Sequence, residues 1–484
     1  MASYNANIQP EPDTIMVTVA DYVTDYVIDS TLAYTSARHC LMDSLAAALI
    51  GLRFPECSRL LGPLVPGTIV PYGVRVPGTP HILDPIKAAF DIGTSIRWVD
   101  INDTWLAAEW GHPSDNFGAI LACADYVSRR QRANGQAGLC MRDVLTAAIK
   151  AYEIQGIFAL DNSFNRLGLD HVILVKLAST ALATQILGGS HQDIINAISQ
   201  VWVDGQALRT YRHTPNTGSR KSWAAGDATS RAVQLAMLTL RGELGYPSAL
   251  TAPQWGFYAT LFRGKVLSLP QVFASYVIEN ILFKISYPAE FHAQTAVECA
   301  MVLHPQVKDR IEQIERIELT THESALRIIN KVGPLQNYAD RDHCLQYMVA
   351  VPLIFGRLSA EDYHDHIAAD ERIDRLRAKM TVTEDQDWSQ DYLNPHKRSI
   401  PNAIQVFFKN GSSTERVAIE YPIGHQRRRS EGIPLLEEKF ITALQGHYPI
   451  QQAQAIIDIC SNQATLEATA VDDFMALLSY NALL

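Results

Sequence analysis

Residues 102–116 read NDTWLAAEWGHPSDN and crowd two Trp, two Asp, a Glu and a His into one short break between apolar, helix-like stretches. Just upstream, Asp100 and Thr104 have the i, i+4 spacing of one helical face, and His112 follows an irregular Trp-Gly turn. Such a set could bring an acid, a hydroxyl and an imidazole to one pocket. The competing reading is that Asp103 or Thr104 caps a helix and His112 is a satisfied turn residue.

Four further stretches gather polar groups at segment ends. In NSFNRLGLDHV, His171 sits where a turn gives way to an apolar helix, so Asp170 could be the N-cap and His171 its first-turn neighbour. The stretch RTYRHTPNTGSRKSW concentrates Arg209, Arg212, His213, Arg220 and Lys221, broken by Pro and Gly and followed by a predicted helix start. A helix N-terminus with adjacent Lys and Arg suits a carboxylate or phosphate, and a solvated basic loop is the alternative. Lys284, in ILFKISYP, is flanked by apolar residues, and there a lysine either snorkels or is held near neutrality for catalysis. His292, eight residues on, is a core histidine or part of the same site, and ADRDHCLQYMV completes the set. The basic run GHQRRRS, Gly424 to Ser430, reads as a solvated turn.

Whole-chain properties narrow the chemistry. A net charge of -10 disfavours nucleic acid and anionic membranes as partners, so an anionic ligand must be captured locally. The seven cysteines, at 40, 57, 123, 140, 299, 344 and 460, are nowhere spaced as C-x-x-C, so neither a disulfide framework nor an iron–sulfur or zinc cradle is legible. G-x-G-x-x-G, the phosphate-binding G-x-x-x-x-G-K-[ST], H-E-x-x-H and G-x-S-x-G are all missing. No metal and no cofactor is expected. MASYNANIQPEPDTIM carries no Lys or Arg, and no apolar run reaches membrane-spanning length, which together predict a cytoplasmic protein.

These groups need a scaffold, and 484 residues exceed what one core usually organises. Residues 37–52, MRDVLTAAIKAYEIQGIFAL, HVILVKLASTALATQILG and SWAAGDATSRAVQLAMLTLRG predict long amphipathic or buried helices. The Pro- and Gly-rich PLVPGTIVPYGVRVPGTPHILDP predicts an ordered loop with short extended pieces. After about residue 280 the pattern changes: IERIELTTHE and IQVFFKNGSSTERVAIEY alternate like strands, the latter about a KNGSS turn. From Glu437 helix returns, which predicts an inserted α+β segment with the C-terminus rejoining the helical body.

RWVDINDTWLAAEWGHPSDN, NSFNRLGLDHV, WVDGQALRTYRHTPNTGSRKSWAAGDATSRAV, SYVIENILFKISYPAEFHAQTAVE, ADRDHCLQYMVA and YPIGHQRRR resemble the MmgE/PrpD family, in its 2-methylcitrate dehydratase branch. The likeness runs from about residue 15 to the C-terminus. It implies a mainly α fold in which a large all-helical domain (1–278 and 425–484) carries an inserted, smaller α+β lid (279–424), usually as a homodimer. The positions matching the family's active-site groups are Asp100, Thr104, His112, His171, Lys221 and Lys284. Arg209, Arg212, His213 and His292 lie in the same motifs as further candidates for substrate carboxylates.

The implied reaction is removal of water from a citrate-like tricarboxylate, 2-methylcitrate or a longer 2-alkylcitrate, to give the alkyl-cis-aconitate. It needs one group to take a weakly acidic proton and another to protonate the departing hydroxyl. Decarboxylation of a cis-aconitate-type acid on the same fold and a non-catalytic helical scaffold are the competing readings. One departure stands out: branch members read Pro-Tyr-Gly-Ser-Tyr before the ENxLFK motif, whereas this chain has LPQVFASYVIEN. If Val272 and Phe273 line a widened pocket, preference should grow with alkyl length.

Overall fold

The computed structural model describes residues 9–213 and 215–480. Its architecture is mainly α. Eight long helices precede residue 240: α1 (Thr14–Asp25), α2 (Thr31–Gly51), α3 (Pro85–Arg97), α4 (Phe117–Ala133), α5 (Met141–Asp161), α6 (Val172–Ile186), α7 (His191–Val203) and α8 (Arg220–Thr239). Their starts follow local chemistry. Ser30 Oγ accepts from Ala33 N at the head of α2, and Asp84 accepts from Ile86 N and Lys87 N ahead of Pro85 in α3. Helices α3 and α8 cross so closely that a Cβ on Gly226 would lie 2.5 Å from the Phe90 carbonyl oxygen. Only glycine allows that approach, which brings Arg97, at the end of α3, near Lys221, in the first turn of α8.

The extended pieces of the Pro-rich loop are β1 (Val74–Arg75) and β2 (Ile82–Leu83), an antiparallel pair. A second short hairpin joins β3 (Trp105–Leu106) to β4 (Trp110–Gly111) within the crowded break. The strand-like segments supply β5 (Ile314–Thr321), β7 (Asn402–Phe408) and β8 (Val417–Ile419) of one four-stranded sheet, which a strand outside those segments, β6 (Met380–Glu384), completes in the order β6-β5-β7-β8. The pair β5/β6 is parallel and the other pairs are antiparallel, with Ile317 opposite Val406 and Leu319 opposite Ile404. Helices α9 (Gln294–Val307), α10 (Glu323–Ile329) and α11 (Leu345–Phe355) accompany this sheet. Helix resumes with α12 (Arg429–Gln445) and α13 (Ile450–Ser461), earlier than the expected Glu437.

Two large apolar cores result. One draws on residues from Met16 to Ile285 and again from Ile423 to Leu478, so both ends of the chain share it. The other draws on Ala289 to Phe408 and fills the space beneath the sheet. Where the chain leaves the first core and re-enters it, the two passes lie side by side: Phe283 N donates to the Gly424 carbonyl at 3.1 Å. A Cβ on Gly424 would run into the Phe283 carbonyl, so the approach depends on glycine there.

Three expectations are corrected. Helix α3 stops at Arg97, and Asp100 has φ +55°, so Asp100 and Thr104 do not share a helical face. The intervening Asn and Asp favour side-chain bonding over helix: Asp103 Oδ1 accepts from Ser114 N and Oγ, at 3.1 and 2.6 Å. Val272 is 86% exposed, and Phe273 is buried against Tyr22 and Phe158, so the LPQVFASY segment does not line the polar cavity described below. The basic run is more than a solvated turn, because Arg429 donates to the Ile281 carbonyl and stacks over Phe283, and Arg428 pairs with Glu298.

Candidate active site

The site starts from a cross-chain bridge. Thr104 and Leu282 exchange backbone hydrogen bonds at 2.8 and 3.1 Å, which sets Lys284, two residues on, against the break that follows α3. Lys284 Nζ donates to Asp100 Oδ1 at 2.7 Å, and Arg97 Nη1 donates to the same oxygen at 2.7 Å. Burial by itself would raise the Asp100 carboxyl, but Arg97 and Lys284 hold it well below the usual carboxylate range. Burial draws Lys284 below the ordinary lysine range, with Asp100 opposing the shift.

His112 is anchored by this same frame. Its Nδ1 lies 2.7 Å from the Asp103 carbonyl and 3.3 Å from Thr104 Oγ1. A carbonyl can only accept, so Nδ1 carries the proton, and Nε2, 3.7 Å from Asp100 Oδ1, keeps its lone pair. Burial, reinforced by Arg97, keeps His112 well below the usual histidine range, so the ring is neutral. His112 and His171 have ring centroids 6.0 Å apart.

A second bridge, between Leu169 and Leu208, positions His171 and the arginines. Asp170 N donates to the Ala207 carbonyl and Arg209 N to the Gly168 carbonyl, both at 2.9 Å. Asp170 also accepts from Arg212 through both carboxylate oxygens, and Val172 N donates to its Oδ1 at 3.2 Å, so it serves the helix start and the arginine together. His171 Nε2 is buried without a partner among the described residues, and burial first, then Arg212 and Arg209, hold this ring below its ordinary value. An unpartnered buried ring nitrogen beside two arginines is arranged for a ligand.

Asp100, Thr104, His112, His171, Arg209, Arg212 and Lys284 line one tight cavity of about 20 Å³ between the two cores. Arg97, Glu290 and His343 face it too, as does an apolar side made of Leu106, Trp110, Phe291 and Ile328. The remaining sequence candidates stand outside it. Lys221 lies behind the wall, its Nζ donating to both oxygens of Asp342 and 3.1 Å from His343 Nδ1. His292 is fully buried behind Glu290, with Nδ1 donating to Glu290 Oε1 at 2.8 Å and Nε2 3.1 Å from the Tyr392 hydroxyl. Burial would raise Glu290, yet His292 holds it at about 2. His213 is exposed and does not line the cavity.

Sequence reasoning missed Arg97, Glu290 and His343. Each adjoins a quoted motif, in RWVD, PAEFHA and RDHC, but only the fold turns those side chains inward. Asp342 and His343 form a carboxylate–imidazole pair at 2.8 Å. Asp100, Asp342 and His343 offer donor atoms within 4.8 Å of one another, the spacing of a metal site. Lys284, Arg97 and Lys221 already bond these carboxylates, so a divalent ion there would face three cationic side chains. The donor set fits charge-paired ammonium and guanidinium groups better than a metal ion.

Four cationic side chains (Arg97, Arg209, Arg212 and Lys284), two carboxylates and three histidines thus face a closed space. Such a site, in a mainly α fold with one small mixed sheet, suits an enzyme that acts on a small polyanion. The chain belongs to the MmgE/PrpD family: the family's N-terminal domain matches residues 17–270 and its C-terminal domain residues 287–464. It is 56% identical to the 2-methylcitrate dehydratase of Escherichia coli (strain K12), over 99% of each chain. It is 59% identical to that of Cupriavidus necator, over 96% of this chain and 97% of the relative. The mitochondrial 2-methylcitrate dehydratase of Yarrowia lipolytica is 54% identical, over 97% and 91%. No described helix is long and apolar enough to cross a membrane.

Proposed function

We propose that this chain is a hydro-lyase that removes water from 2-methylcitrate to give 2-methyl-cis-aconitate by acid–base catalysis. The observation that carries the reading is a neutral His112 Nε2 beside Lys284 in a cavity where four cations meet two carboxylates. The full-length likeness to three proteins named 2-methylcitrate dehydratase supports the substrate.

In this reading the arginines hold the substrate's carboxylates, and His112 Nε2 takes the proton from the carbon beside one of them. The C–H electron pair becomes the double bond as the C–O bond breaks. Lys284 gives its proton to the departing oxygen, which leaves as water. The proton on His112 and the vacancy on Lys284 are restored through water before the next turnover. Arg209 and Arg212 stabilise the charge that builds on the carboxylate as its neighbouring proton leaves. His171 is a further donor to substrate oxygen, Thr104 steadies His112, and Lys221 positions Asp342 and His343.

Residues 279–424 act in this proposal as a lid on the body formed by 1–278 and 425–484, and closure brings Glu290, Phe291, Ile328 and His343 onto the substrate. The two core ranges and the paired passes at Phe283 and Gly424 support that division. The protein is proposed to act as a homodimer, to be checked by sedimentation. The deciding experiment is incubation of the pure protein with citrate, 2-methylcitrate and longer 2-alkylcitrates under mass-spectrometric detection. Loss of water is expected, and loss of CO2 from a cis-aconitate-type acid instead would replace the dehydratase by a decarboxylase.

A further inference from the structure

The active cavity has an apolar side with no role in acid–base chemistry. Leu106, Trp110 and Phe291, with Ile328 packed on them, belong to a small apolar cluster distinct from both large cores. A tricarboxylate offers such a surface little to bind. What distinguishes 2-methylcitrate from citrate is a single methyl group, and an apolar wall opposite the cationic side is where that group loses least by leaving water.

Behind this wall lies a second, outer cavity of about 390 Å³, against about 20 Å³ for the inner one. Three observations put the two cavities on opposite sides of the same short segments. Leu106 lines the enclosed cavity and its chain neighbour Ala107 the outer one. On α10, Ile328 lines the enclosed cavity and Ser324 the outer one, a single helical turn of about 5.4 Å away. The Trp110 ring carries the guanidinium of Arg209 at 4.9 Å, on the enclosed side, and that of Arg327 at 5.2 Å, on the outer side.

We propose that Leu106, Trp110 and Ile328 hold the substrate's alkyl group and set its maximum length, by walling the enclosed site off from the outer cavity. The proposal rests on the dehydratase reading and deepens it. Ile328 is the residue that decides the limit most simply. It is half-buried, on a seven-residue helix, and packs on the margin of the second core without belonging to its buried interior, so its side chain can be changed at limited cost to that core. Shortening it joins the two spaces, and enlarging it fills the methyl position.

The test is kcat/KM for citrate and for the methyl, ethyl, propyl and butyl 2-alkylcitrates, with wild type, Ile328→Ala and Ile328→Phe. Wild type should favour the methyl compound and fall steeply beyond it. Ile328→Ala should raise the butyl-to-methyl ratio by at least about tenfold, since each accommodated methylene is worth about fourfold. Ile328→Phe should move preference toward citrate. Leu106→Ala reads the same ratio if Ile328→Ala does not fold. A wild-type series flat from methyl to butyl, or Ile328 variants whose series keeps the wild-type shape, overturns the wall while leaving the dehydratase reading intact. Failure of wild type to dehydrate any of the five compounds removes that reading instead.

Discussion

His112 must be deprotonated to act as a base, and its neighbours see to that. Its Nδ1 proton is fixed on the Asp103 carbonyl, and burial with Arg97 resists a second proton. Replacing His112 or Lys284 with Ala should each lower kcat by about 100-fold or more, with thermal unfolding little changed, as expected for a lost general base or acid. In wild type, activity should fall with acid only when His112 takes up a proton. Because its pKa is depressed, that limb of the kcat/KM profile should lie below the ordinary histidine value of about 6.5. An acid limb at or above neutrality, or near-normal turnover in both variants, would remove His112 and Lys284 from these roles. At this scale the sequence displayed residue types but not directions. His112 and His292 look alike in the chain, yet one faces the cavity and the other backs Glu290.

The elements that matter most here are short and joined by long-range bridges. Thr104 with Leu282, and Leu169 with Leu208, bring four chain segments to one cavity through a few backbone hydrogen bonds. The paired passes at Phe283 and Gly424 do the same at the junction of the two cores. Gly424→Ala should therefore cost about 1–3 kcal/mol of stability through forced overpacking. It should also lower turnover, because the displaced Phe283 immediately precedes Lys284. Thermal unfolding and kcat on the same preparation check both effects, and an unchanged melting temperature would show that the junction relaxes freely. The long helices, the hairpin turn and three of the four strands of the sheet were legible, because apolar periodicity and turn residues are local signals, whereas β6, with its largely exposed residues, was not. The end of α3 was not, since i, i+4 spacing around Asp100 persists by chance after the backbone has left the helix.

For the whole molecule, buried carboxyls act on stability in two directions. Against the effect of burial, Arg97 and Lys284 hold Asp100 down, Arg212 does the same for Asp170, and His292 for Glu290. Their stabilisation is present above the unfolded carboxylate value of about 4 and is lost as pH falls through their lowered values. Burial raises Glu109, Asp115 and Glu153 to about 7, and their contribution, full below about 4, is lost as pH rises through 7. The buried histidines His112, His171 and His322, held below their ordinary value, act the other way and lose stability as pH falls below about 6.5, so the melting temperature should peak between about pH 4 and 7 and fall on both sides, which a buffer series in differential scanning fluorimetry would show. A peak above pH 8 would contradict these assignments. Activity should survive dialysis against a chelator, because Asp100 and Asp342 are already paired with cationic side chains; loss reversed by ferrous iron or zinc would make the Asp100, Asp342 and His343 cluster a metal site. The sequence by itself determined the mainly helical class, the switch to strands after about residue 280, the return to helix, and the polar groups that could do chemistry, since each depends on residues near one another in the chain. Only the tertiary structure decided which of those groups share a cavity, which apolar residues oppose them and which stand behind the wall. Their spacing in space is set by bridges between segments as much as 178 residues apart, such as Thr104 and Leu282, and no local pattern encodes a contact of that range.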